Sequence, residues 1–228
     1  MEESILDTAS ERAHALVDRV KPRLRGVLHE IAFAVSLVTG TVLVCLAPDG
    51  RARAAAAVYA VSVALLFGTS AALHRGTWSP RANVLMGKLD HSMIFVLIAG
   101  TYTPFAVLLL DGGTRVLALS LVWGGAALGV TLRLLLGPMR WVFTSLYLLL
   151  GWVAVGFLPQ LVHKGGWTVV TLILVGGLFY SIGAVVYATQ RPKLSEHWFG
   201  FHELFHALTV LAFVAHYVAV SVATYRAA

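Results

Sequence analysis

The chain has 228 residues, 58% of them hydrophobic and 12% charged, with a formal net charge of +6. A soluble domain has about a quarter of its residues charged, so this composition, with a mean hydropathy of +0.81, excludes an ordinary water-soluble enzyme and points to an integral membrane protein. The basic residues lie in short polar connections rather than in one stripe, which speaks against a nucleic-acid partner, and the single cysteine, Cys45, excludes an internal disulfide.

Residues 1–26 read as an amino-terminal cytoplasmic or interfacial segment. Ile5, Ala9, Ala13, Leu16 or Val17, and Val20 recur near helical spacing, charges fill the remaining positions, and Pro22 closes the run. That is the pattern of a short amphipathic helix on the membrane surface, although a frayed tail fits the same residues. The acidic start, Glu2 and Glu3 with no apolar run behind them, does not resemble a secretory signal. Residues 27–228 form the membrane domain, with seven apolar cores near 31–47, 54–74, 90–110, 116–136, 141–162, 167–189 and 202–224. Each is close to the ~20 residues needed to cross the hydrocarbon. The breaks carry turn-forming residues: Pro48-Asp49-Gly50, Trp78-Ser79-Pro80, Asp111-Gly112-Gly113, Gly137-Pro138, Lys164-Gly165-Gly166 and Arg191-Pro192. The predicted fold class is therefore an all-α membrane protein, a seven-transmembrane helix bundle. With the amino terminus cytoplasmic, twelve Lys and Arg fall on the inner side and five on the outer. This excess predicts the amino terminus inside and the carboxyl terminus outside.

That topology gathers ionisable residues at one depth. The second segment ends inside with Ser70 and His74, the third begins there with Asp90 and His91, and the seventh begins there with His202, Glu203 and His206. Ionisable side chains within a membrane are costly and by default functional. His202 and His206, four apart, share one helical face and can close on a single ion. A zinc site of three protein ligands with one position open to water is predicted from His74, His202 and His206. Asp90 is placed as the general base that holds or deprotonates the water, and Ser70 as the donor to a developing oxyanion. Each residue also has a structural reading. His202 and His206 could be satisfied by headgroups and backbone, His74 could be an ordinary helix-end histidine, Asp90 could pair with Lys88 or Arg81 or cap its helix, and Ser70 could bond back to the preceding turn. His91 is expected to support the site from behind, and His216 to be a buried neutral residue bonded to a neighbouring helix.

His202 to His206 reads HELFH and fits H-E-x-x-H, in which the Glu is the base of a metalloprotease. An apolar setting without a peptide-binding strand, and Asp90 as a rival base, argue against that reading. Gly100, Thr101, Thr103 and Pro104 suggest close helix packing in mid-membrane. Arg133 is expected to snorkel to the interface. Trp78, Trp141, Trp152, Trp167 and Trp198 are read as interface anchors.

Two long stretches, GKLDHSMIFVLIAGTYTPF at 87–105 and RPKLSEHWFGFHELFHALTVLAFVAHY at 191–217, resemble the bacterial hemolysin III branch of the progestin and adipoQ receptor family. KPRLRGVLHEIAF at 21–33 and the GW pair of the fifth segment are similar too, so the likeness covers nearly the whole chain. The resemblance implies a seven-helix bundle in a bacterial plasma membrane, and a zinc held by three histidines in the inner leaflet. The family's S-x-x-x-H falls on Ser70 and His74, its third-helix Asp on Asp90, and its H-x-x-x-H on His202 and His206. Similar motifs in alkaline ceramidases imply hydrolysis of a lipid amide or ester and a role in membrane lipid homeostasis. Receptor-type members tend to have Gln at the place of Glu203, which gives that residue no obligatory catalytic role, and they carry a long amino-terminal domain that this chain lacks. The expectation is thus a zinc-dependent hydrolase with a membrane lipid as substrate. The alternative is a non-enzymatic membrane protein with structural zinc, a cytolytic pore-former or a membrane-state sensor.

Overall fold

The computed structural model describes residues 22–137, 139–192, 194–195 and 197–227; nearly all of the expected amphipathic segment lies outside them. The described residues are all helical apart from short connections: α1 Val27–Leu46, α2 Arg51–Arg75, α3 Pro80–Leu109, α4 Gly112–Leu135, α5 Arg140–Gly151, a 3-10 turn Trp152–Phe157, α6 Leu158–Thr189 and α7 Phe201–Tyr225. Six helical stretches are long and apolar enough to cross a membrane, with Arg140–Thr189 counted as one of 50 residues.

That last stretch does not run straight. At Gly166 the backbone turns to φ 74°, ψ 169°, a conformation that only glycine adopts without strain. Beyond it the chain doubles back, because Trp152 Nε1 donates to Ser181 Oγ at 3.0 Å and these residues flank Gly166 at nearly equal distances in sequence. At the turn, Lys164 and Arg115 pair with Asp111, and the Lys164 hydrogen bond holds the Asp111 carboxyl below the usual carboxylate range.

The third helix begins ten residues before the expected core, at Pro80, because Ser79 accepts from the Ala82 amide and proline occupies the first helical position. Asp90 and His91 consequently lie inside α3 rather than at its start. α3 is also the most enclosed span, with 61% of its apolar window buried against protein, whereas α4 has 22%. The main core joins Tyr59, Phe67, Leu97, Phe105, Val170 and Phe213. A smaller one joins Phe95, Val122, Ala126 and Phe143. Large apolar side chains such as Val38, Leu46, Val116, Leu128 and Leu149 point outward, a surface suited to lipid rather than water.

Candidate metal centre

The histidines converge at the end of the bundle where α2 finishes and α7 starts. α7 begins after Gly200, and Glu203 folds back so that its carboxylate accepts from the Gly200 amide at 2.7 Å. This cap fixes the first two turns, so His202 and His206 project together. His74, the penultimate residue of α2, meets them: His74 Nε2 lies 3.1 Å from His202 Nε2. The ring centroids of His74 stand 4.8 Å from His202 and 5.2 Å from His206.

One nitrogen of each of the three lies within 4.8 Å of the others, close enough to hold a metal ion. Around a tetrahedral zinc with bonds of ~2.0–2.1 Å, ligand nitrogens stand roughly 3.3 Å apart. The His74–His202 separation already matches that figure, and a small closure of His206 would complete the set. Three imidazoles are also a donor set that suits zinc.

A fourth histidine, missed in the sequence, completes the group. His29 of α1 is buried, stacks on His206 with centroids 3.6 Å apart at 8°, and shares a 2.8 Å hydrogen bond between its Nδ1 and Ser70 Oγ. The signal was present: a histidine in an apolar run, at the depth of His74 once the helices alternate. It lies just ahead of the apolar core that the hydropathy pattern starts at residue 31, and so outside the predicted span. Ser70 is thus held by another helix instead of bonding to the preceding turn, and the Asp90 carboxyl lies within reach of its hydroxyl.

Asp90 does not pair with Lys88, which donates to the Leu134 carbonyl, and it caps nothing. His91 is fully engaged. Its Nδ1 donates to the Gly87 carbonyl at 2.7 Å, so its Nε2 is the acceptor for the Tyr187 hydroxyl, also at 2.7 Å. It ties α3 to α6 and stands 3.9 Å from Asp90. Arg133 does not snorkel as expected. It is buried, with its guanidinium over Phe143 at 5.3 Å, because α4 packs its carboxyl-terminal end against α3 and α5 before the side chain can reach the surface. Trp152 is 41% exposed and also borders the cavity described next.

Ser70, Asp90, His202 and His206 border one cavity of about 1110 Å³, counting its open mouth, that runs from the histidines between α3, α5, α6 and α7. Glu203 faces elsewhere. It is 1% exposed, and its second oxygen accepts from Arg25.

The chain matches the model of the Haemolysin-III related family over residues 17–217. It is 30% identical to "Hemolysin-3" of Bacillus cereus over 188 residues, covering 80% of this chain and 85% of that protein. It is 32% identical to "Hemolysin-3 homolog" of Bacillus subtilis (strain 168) over 147 residues, covering 63% and 68%.

Proposed function

This chain belongs to the haemolysin-III related family of multi-pass bacterial membrane proteins, and we propose that it is a zinc-dependent hydrolase of an amide or ester bond in a membrane lipid, ceramidase-like in chemistry and serving membrane lipid homeostasis. The observation that carries this reading is the convergence of three imidazoles, two of which, His202 and His206, border one largely apolar cavity together with Ser70 and Asp90. In this reading the chain crosses the plasma membrane seven times, the amino terminus is cytoplasmic, and the histidines lie in the inner leaflet.

His74, His202 and His206 would hold the zinc, which when bound supplies Lewis acidity to a carbonyl and to a water. The apolar cavity admits the lipid sideways and presents its acyl carbon beside Asp90. Asp90 takes a proton as water adds to that carbon, and returns it to the departing amine or alkoxide when the C–N or C–O bond breaks. Ser70, held by His29, donates to the oxygen on which negative charge develops.

Metal content and turnover of the purified protein separate these roles. His202→Ala is expected to lose the metal. Asp90→Ala is expected to keep most of it while hydrolysis falls by about 10²–10⁴-fold. The opposite pattern would exchange the two assignments. The rival class, a pore-former or sensor with a structural ion, calls for a fourth protein ligand. His29 is the group placed to provide one, since its Nε2 is buried without a partner. Metal loss in His29→Ala as complete as in His202→Ala would favour that rival.

A further inference from the structure

Beyond the histidines the cavity leads to a second, smaller space bordered by Phe105, Leu110, Phe157 and Leu161. Thr101 and His216 line both spaces and so mark the waist between them. Tyr180 stands beside that waist, its ring 5.5 Å from the imidazole of His216. The hydroxyls of Thr101 and Tyr180 have no hydrogen-bond partner among the described residues.

His216 is the more telling group. Its Nε2 lies 3.1 Å from the Ile173 carbonyl, and a carbonyl only accepts, so Nε2 carries the ring proton and Nδ1 is a bare acceptor. Nδ1 is buried and has no partner, which is costly for a polar atom in an apolar interior. The imidazole lies against Gly176, where any Cβ would come within 2.3 Å of it. Room for this ring is therefore built into the facing helix, at a depth where an aliphatic side chain would fill the space at no polar cost.

We infer that the waist recognises a hydroxyl carried partway along the chain of the lipid ligand, with that hydroxyl donating to His216 Nδ1 and with Thr101 and Tyr180 donating to its oxygen. The inference rests on the reading of the cavity as a lipid site and adds a feature of the lipid. Ten residues of helix separate His206 from His216, roughly 15 Å at 1.5 Å per residue. An extended chain advances about 1.2 Å per bond, which puts the hydroxyl roughly a dozen bonds from the group held at the histidines. A buried water is the other possible source of such a donor.

Binding without turnover distinguishes the two sources. The full-length protein in detergent is titrated with a long-chain fatty acid bearing one hydroxyl roughly a dozen bonds from its carboxylate, and with the unsubstituted acid of equal length. We expect the wild type to bind the hydroxylated acid about 3–10-fold more tightly. His216→Leu should abolish the preference while binding the plain acid as the wild type does. Thr101→Val, which keeps the side-chain shape, should lower the preference about twofold. Equal binding by the wild type would assign the waist to water and overturn the inference. That comparison stands even if a variant does not fold. A preference that survives His216→Leu would overturn it as well. If neither acid binds, the lipid reading of the cavity fails and this inference fails with it.

Discussion

Glu203 illustrates how one residue's partners decide between chemistries. A metalloprotease base needs a carboxylate free to face the ion, but here one oxygen caps α7 through the Gly200 amide and the other takes the Arg25 guanidinium. Both oxygens serve to hold the helix that carries His202 and His206. Glu203→Ala should lower stability by about 1–3 kcal/mol, the sum of a lost cap and an orphaned partner. The value is discounted because Arg25 is 22% exposed and can rehydrate. Glu203→Gln keeps an acceptor for the Gly200 amide and should lose less, with metal and hydrolysis retained. Thermal unfolding in detergent, read together with metal content, checks this. Loss of turnover with the metal intact in Glu203→Gln would make Glu203 the base in place of Asp90.

At the scale of elements, the start of α1 is part of the metal centre's scaffold. Arg23 bonds through its amide to the His197 carbonyl at 2.9 Å and lays its guanidinium over Trp198 at 4.7 Å. Glu30 of α1 pairs with Arg75 of α2 at 2.9 Å. Between these ties sits Gly26, with φ 82°, where a Cβ would stand 2.5 Å from the Cβ of His74. Gly26→Ala should therefore push His74 aside and weaken metal binding by about 10–100-fold, the range seen when support of a ligand is lost. Gly50 supplies the control. Its φ is 81° and nothing lies within 4 Å of its would-be Cβ, so Gly50→Ala carries only the backbone strain of about 1–3 kcal/mol and should leave metal affinity unchanged. Equal metal loss in both variants would mean that global destabilisation, not His74, is responsible.

For the whole molecule, the turn at Gly166 determines at which end of the bundle the last helix begins. A chain that crosses once from Arg140 to Thr189 would place α7 reversed relative to α2 and α3, whereas one that crosses, turns and returns brings Phe201 back to the level of His74. Contacts at both ends agree with the return: Lys164 with Asp111 at one end, and Tyr187 with His91 at the other. In intact cells, with Cys45 replaced by Ser, a membrane-impermeant thiol reagent should reach a cysteine placed at Lys164 from outside. It should reach one placed at Arg191 only after the cells are opened. Labelling of both from the same side would refute the seven-crossing arrangement.

By itself the sequence determined the solvent of this protein, its helical class and most of its helix ends. Those follow from local facts: apolar runs of bilayer length, Gly and Pro at the breaks, and basic residues that resist crossing. It also placed Ser70, His74, Asp90, His202 and His206 at one depth, because in a helical membrane bundle distance along the helix is depth and alternation sets which ends meet. Depth leaves rotation and tilt open. That His29 stacks on His206 and holds Ser70, that Arg133 turns inward, that Glu203 is taken by Arg25, and that His216 keeps one nitrogen bare at the waist of a cavity were all decided by which helix faces pack together. Such packing depends on contacts between residues as much as 178 positions apart, and no local pattern in the chain encodes it.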